Sequence, residues 1–158
     1  EKKLINFDHP SSFEFNLINE HIDLLKKNQS IEMPIYSYIT CSRAKDTITI
    51  HPTDIIIVEG IMTFANETLR NKFDVKIFVD TDVDDRLMRI IERDVVERGR
   101  NYKQAMQHYA LWVKTMHETY IEPTKKFADI IVPHGGKNKI AIDILISKLK
   151  YYLSNLKK

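Results

Sequence analysis

Three groups of residues in this chain are of types and spacings that could do chemistry. Glu59 closes an apolar, β-branched run, Ile55-Ile56-Ile57-Val58. A carboxylate there suits magnesium, bound directly or through water beside a nucleotide's phosphates, because hard cations take oxygen ligands. It could equally cap the following turn or pair with a nearby base. The second group is Arg86, Arg89, Arg93, Arg98 and Arg100, closing in Glu97-Arg98-Gly99-Arg100. Spacings of three and four put the first three on one helix face. Guanidinium forks bind phosphate oxygens bidentately, and an arginine-bearing segment that bends at Gly99 could close over a transferring phosphoryl group. The alternative is a solvated face with i,i+4 partners such as Asp85 with Arg89 and Asp94 with Arg98.

The third group is Phe7-Asp8-His9-Pro10 with Tyr36, Tyr38 and Arg43. A short carboxylate can accept both hydroxyls of a ribose while flat rings wall a base. Against this stands a loop acid with partly buried packing tyrosines. Lys137-Asn138, after Gly135-Gly136, could meet a nucleotide, although the local sequence favours the start of a helix. The six histidines form no His-x-x-x-His pair and read as ordinary surface or core. Met106, Trp112 and Met116 read as packing residues.

The elements that must position these groups follow from hydrophobic periodicity. A helix with serine caps at Ser11 and Ser12 is expected over residues 13–25. Residues 34–40 and 47–50 read as two strands of a hairpin around a charged turn at 43–46. Residues 54–60 read as a central strand buried on both faces, and 75–81 and 128–133 repeat that design. Helical patterns cover residues 83–97, 102–120 and 138–153. Strands alternating with helices imply parallel crossovers and an α/β layered sheet, and such sheets bind ligands outside the carboxyl ends of their strands, where Glu59, Asp80 and Thr81 fall.

Composition narrows the class. At 158 residues and 43% hydrophobic content the chain is long enough for one domain with a core, with no repeat, low-complexity tract or linker. A net charge of +2, from 24 basic and 22 acidic residues, carries no electrostatic footprint for nucleic acid. The single cysteine, Cys41, can form no intramolecular disulfide, and the sequence has neither a secretory signal nor a membrane-length apolar run. A reducing, cytoplasmic setting is expected.

Taken together, Asn6-Phe7-Asp8-His9-Pro10, Pro34-Ile35-Tyr36-Ser37-Tyr38, Ile57-Val58-Glu59-Gly60-Ile61, Phe78-Val79-Asp80-Thr81-Asp82, Glu97-Arg98-Gly99-Arg100, Glu122-Pro123-Thr124-Lys125-Lys126 and residues 131–138 resemble the uridine-cytidine kinases, collinearly and along nearly the whole chain. The resemblance implies a P-loop kinase-type parallel sheet flanked by helices, with a small β-hairpin nucleoside-binding insertion and a helical lid. It implies transfer of the ATP γ-phosphate to the 5′-hydroxyl of a pyrimidine nucleoside, with magnesium, in a homo-oligomer that is usually a tetramer. On that pattern Asp8, beside Phe7, would hold the ribose hydroxyls, and Tyr36 and Tyr38 would line the base pocket. Glu59 would help place magnesium, Arg93 and Arg98 would act on the phosphates from the lid, Arg100 would reach the nucleoside, and Lys137 would lie at the ATP base.

This chain departs from the pattern in four places. Cys41 stands where the family has a histidine reading the pyrimidine edge, Ile90 replaces the second of two lid arginines, and His108 replaces a glutamine, which together point to a shifted or weakened nucleoside pocket. No Gly-x-x-x-x-Gly-Lys-Ser/Thr occurs among the 158 residues, which hold only four glycines. The expectation is that these residues are the C-terminal three-quarters of a single kinase domain. The phosphate-binding loop and the aspartate that accepts the 5′-hydroxyl proton would then lie upstream of Glu1. Two rivals stand beside this reading: a catalytically inactive paralogue acting as a binding or regulatory subunit, and a kinase of the same fold acting on another acceptor such as a sugar phosphate.

Overall fold

A computed structural model describes residues 6–38 and 40–156. The chain is a mixed α/β structure built around one long crossover. Strand β3 (Ile77–Val79) pairs in parallel with β4 (Ile130–Val132), with Ile77 opposite Ile130 and Val79 opposite Val132. The pairing continues past both ends, through Asp129 N–H to the Lys76 carbonyl (2.8 Å), Asp80 N–H to the Val132 carbonyl (2.8 Å) and Gly135 N–H to the Asp80 carbonyl (2.7 Å). The helices between these strands form the crossover, as parallel pairing requires.

Helix α1 (Phe15–Lys26) buries Ile22 and Leu25 on the inner side of its amphipathic surface. It starts later than the serines suggest. Pro10–Ser12 forms its own 3₁₀ turn, capped by the His9 side chain, and α1 begins without a side-chain cap at Glu14. The proline accounts for the break, since its fixed φ suits the first position of a helical turn. Helix α2 (Glu67–Arg70) is one turn, capped by Asn66, whose side-chain oxygen accepts from Leu69 N–H at 2.8 Å.

The hairpin is longer than the alternation alone predicts. β1 (Ile31–Ser37) pairs antiparallel with β2 (Ser42–Ile50), so residues 43–46 lie in a strand rather than a turn. The register slips between Pro34 and Tyr36, where proline has no N–H to give the ladder. The turn falls instead at Cys41, which takes a positive φ of 48° and donates its thiol to the Tyr38 carbonyl at 3.4 Å.

Residues 54–60 correct the expectation of a central strand. They run without strand structure, Ile57 is 77% exposed, and among the described residues no backbone hydrogen bond joins them to β3 or β4. A buried strand needs a ladder partner for each N–H and C=O. Among the described residues β3 and β4 pair only with each other. Past Gly60, Thr63 closes a turn by donating its hydroxyl to the Gly60 carbonyl at 2.9 Å.

Helix α3 (Val83–Val96) follows β3 almost as the periodicity predicts. The expected helix over 102–120 is helical throughout but not uniform. α4 (Tyr102–His108), with a capping box between Asn101 and Gln104, passes into a π turn (Tyr109–Val113), a short α5 (Lys114–Met116) and a second π turn (His117–Ile121). Helix α6 (Lys139–Leu156) ends the described chain.

The core gathers Met62, Phe64, Phe78 and Ile121, with Phe13, Phe15, Phe73 and Tyr120 packed against them. Leu69 is 1% exposed, whereas Leu111 is 65% exposed. Leu69→Ala is therefore expected to destabilise the protein by about 2–5 kcal/mol in urea unfolding, and Leu111→Ala by less than about 0.5 kcal/mol.

Candidate functional site

The end of α3 and the start of α4 meet at a buried carboxylate. Asp94 is fully buried, and three guanidiniums reach it. Its Oδ1 accepts from Arg93 Nη2 at 3.2 Å and from Arg98 Nη1 at 3.3 Å, and its Oδ2 accepts from Arg100 Nη1. The Asp94 carbonyl also accepts Arg100 N–H at 3.0 Å, closing the turn in which Gly99 takes a φ of 65°. The i,i+4 pair of Asp94 and Arg98 read from the spacing does form, but in the interior rather than on a solvated face.

His108, at the end of α4, stands between two carboxylates. Its Nε2 is 3.4 Å from Asp8 Oδ2 and its Nδ1 is 3.7 Å from Asp94 Oδ2, and Nδ1 is buried without a hydrogen-bond partner. Burial first, and then the Arg100 charge, push its pKa below the usual imidazole value, against the opposing pull of Asp8 and Asp94. The loop bearing Asp8 is pinned by its neighbour: His9 Nε2 bonds the Tyr120 hydroxyl at 3.0 Å, and the two rings meet edge to face at 5.1 Å. Phe7, beside Asp8, is partly exposed.

The hairpin brings its tyrosines to the same place. Arg98 stacks over the Tyr38 ring at 4.7 Å, and Tyr38 meets Tyr36 edge to face at 5.2 Å. Burial and the neighbouring Cys41 raise the Tyr36 phenol above its ordinary pKa. Asp8, His108, Arg93, Arg98, Arg100, Tyr38, Tyr36 and Cys41 thus form one connected array. Arg43 is not part of it, because it pairs with Glu14 at 2.6 Å and ties the hairpin to α1.

The other arginines of α3 go elsewhere. Arg86 and Arg93 are seven residues apart, roughly 10 Å along the axis, so one face does not mean one site. Arg86 bonds His117 in the second π turn, and Arg89 pairs with Asp85 at 4.0 Å. Arg89 also lies against the strand ends: a Cβ on Gly135 would stand 2.9 Å from Thr81 Oγ1 and 3.1 Å from Arg89 Nη1. Gly135 has a φ of 62°, so conformation and space both require glycine there. Lys137 is exposed in the 3₁₀ turn Gly135–Lys137 beside that contact. Asp80, at the end of β3, accepts from Lys125 Nζ at 2.5 Å, and this bond holds its carboxyl below the usual carboxylate range.

Glu59 is exposed and makes no hydrogen bond or ion pair among the described residues, so it does not cap the turn that follows. No group of three His, Cys, Asp or Glu side chains converges among the described residues. A single free carboxylate nevertheless fits magnesium as nucleotide enzymes use it, because the ion keeps several waters and takes its other ligands from substrate phosphates. Asp94 and Lys125 carry larger parts of this geometry than sequence reading assigned them. Their signal was adjacency: Asp94 follows Arg93 directly, and Lys125 lies in the Glu122-Pro123-Thr124-Lys125-Lys126 motif.

A parallel strand pair with a carboxylate at its end, a glycine-requiring turn beside it and an arginine-rich helix leading to Asp8 and the two hairpin tyrosines define an α/β protein with an arginine-lined polar site. The family model "Phosphoribulokinase / Uridine kinase family" matches residues 1–141. The chain is 45% identical over 150 residues to a uridine kinase of Limosilactobacillus reuteri, covering 95% of this chain and 69% of the relative. It is 49% identical over 152 residues to a uridine kinase of Clostridium novyi (96% and 73%) and 46% identical over 154 residues to one of Staphylococcus haemolyticus (98% and 74%). The chain belongs to the phosphoribulokinase/uridine kinase family. No helix among the described residues is long and apolar enough to cross a membrane.

His108 and His117 both titrate lower in the folded chain than the ordinary value of 6.5, chiefly through burial. Unfolding therefore takes up protons at mildly acid pH. The stability held by these two rings is fully present above 6.5 and is lost as the pH falls through their lower folded values. Urea midpoints are expected to drop between about pH 7 and pH 5.5, before carboxylates titrate, and to drop less in the double variant His108→Gln/His117→Gln.

Proposed function

We propose that these residues are the greater part of a kinase domain that transfers the γ-phosphoryl group of ATP to the 5′-hydroxyl of uridine or cytidine. The observation that carries the reading is the convergence of Asp8, His108, Arg98, Arg100 and the Tyr36 and Tyr38 rings on one site. Asp8 accepts the ribose hydroxyls, and Phe7, Tyr36 and Tyr38 wall the base. Cys41 meets the base edge, while Arg100 and His108 contact the nucleoside. Arg93 and Arg98 face the phosphates, and Lys137 borders the ATP base. Glu59 would hold magnesium, which when bound neutralises phosphate charge. Catalysis here is positioning and charge neutralisation, with no covalent intermediate.

The exposed Ile57, Val79, Ile130 and Ile131 support a further part of the reading. Faces of parallel strands are ordinarily covered, and a segment carrying the phosphate-binding loop would cover these. The exposed cross-strand pair of Met33 and Ile48 suits a contact between copies, in line with a homo-oligomer, a tetramer by resemblance. A cytoplasmic setting accords with the single cysteine. The relatives give no support to the inactive-subunit alternative. The Asn6 to Pro10 loop and the paired tyrosines favour a nucleoside over a sugar phosphate.

With ATP and magnesium, the full-length protein is expected to convert uridine or cytidine to the monophosphate and to leave sugar phosphates untouched; the opposite preference in an acceptor panel would overturn the reading. Asp8→Ala should lower kcat/KM for the nucleoside by about 100-fold while the melting temperature holds, because the ribose hydroxyls lose a charged acceptor. The 158 residues alone should not turn over ATP at a useful rate, and measurable phosphorylation by them would refute that expectation.

A further inference from the structure

We propose that Asp94 is a positioning residue for phosphoryl transfer: it gathers Arg93, Arg98 and Arg100 into one array and sets their distance from the nucleoside site. The inference rests on the kinase reading above. Three features of the geometry carry it.

The first is the charge count. One buried carboxylate faces three guanidiniums, so the array keeps a surplus of two positive charges. Each guanidinium has five donors, and Asp94 engages only one or two of each. The remaining donors stay free for an anion. Arginine side chains left to themselves at this spacing would repel and spread into solvent; a shared acceptor holds them together before the anion arrives, which is how preorganised charge accelerates a reaction.

The second is the double grip on Arg100. Asp94 binds it through the side chain and through the backbone carbonyl, at 3.0 Å from Arg100 N–H. That fixes the Arg98-Gly99-Arg100 turn as a unit, although Gly99 alone would leave it free to swing. The third is continuity with the ribose side: His108 lies 3.7 Å from Asp94 Oδ2 and 3.4 Å from Asp8 Oδ2. A displacement at Asp94 therefore reaches both the arginines and the acid proposed to hold the ribose. Asp94 itself, being fully buried, touches no substrate.

The test uses the full-length protein with uridine, ATP and magnesium. Asp94→Asn keeps the shape and removes the charge, and should lower kcat by about 100-fold while KM for ATP stays within about twofold. A double-mutant cycle with Arg98→Ala separates positioning from general damage, because both changes undo one arrangement. The double variant should then be little slower than the slower single variant. If Asp94→Asn does not fold, Asp94→Glu retains the charge and shifts it by one methylene, and should cost about tenfold in kcat with the same pattern in the cycle. Near-wild-type kcat in the folded variant, or losses that multiply in the cycle, would overturn the inference. Failure of the wild-type protein to phosphorylate any pyrimidine nucleoside would instead sink the kinase reading on which it rests.

Discussion

The structure turns on a carboxylate buried where no water reaches it. Placing a charge in the interior costs several kcal/mol unless it is paired and its lone pairs are satisfied. Asp94 meets that requirement only because Arg93, Arg98 and Arg100 all reach its two oxygens. Much of the local architecture follows from the need to bring them there. Helix α3 must end at Val96 so that the chain can double back, Gly99 must take a positive φ, and the Asn101 capping box must start α4 at once. His108 is then delivered one helix length later to the same carboxylate. The hairpin is drawn in as well, since Arg98, fixed from behind by Asp94, presents its face to Tyr38.

A second constraint acts at the ends of the parallel strands. The Gly135 N–H bonds the Asp80 carbonyl while its missing side chain leaves room for Thr81 and Arg89. Lys125, reaching back from the 3₁₀ turn Glu122–Phe127, neutralises the Asp80 side chain. The strand end is thereby internally satisfied, unlike Glu59, whose carboxylate has no partner among the described residues. Of the three strand-end groups that sequence reading singled out, Asp80 is engaged by Lys125 and Thr81 lies against Gly135. Glu59 alone of the three makes no side-chain contact among the described residues.

Local pattern was a good guide where local energetics decide. The amphipathic period of α3 emerged almost at its true bounds, because a helix satisfies its own backbone, whereas the strands read over 75–81 and 128–133 shrink to Ile77–Val79 and Ile130–Val132, with Val79, Ile130 and Ile131 exposed rather than buried on both faces. It failed where the partner decides. Residues 54–60 have the composition of a central strand and no ladder, and the spacing of Arg86, Arg89 and Arg93 promised one site where seven residues of helical rise separate three. Cys41 was legible as a departure from a family pattern but not as the positive-φ residue of the turn, a conformation that glycine or asparagine adopts far more readily. Asp94 was visible only as the partner of Arg98, since a spacing of four is the same on a wet face and a buried one. Burial is a property of what packs over a residue, and here the Arg98-Gly99-Arg100 turn and His108 of α4 close around Asp94.

The same reasoning bears on the three departures from the family pattern at positions 41, 90 and 108. Cys41 sits in the hairpin turn with its thiol turned to the Tyr38 carbonyl, and Ile90 is half-buried on α3. His108 differs: it has an unpaired buried nitrogen and a second nitrogen facing Asp8. Burial and the Arg100 charge lower its pKa, and a neutral ring can donate to only one of the two carboxylates it faces. Of the three positions, only 108 places a polar group within the charged array, with Nε2 3.4 Å from Asp8 Oδ2 and Nδ1 3.7 Å from Asp94 Oδ2.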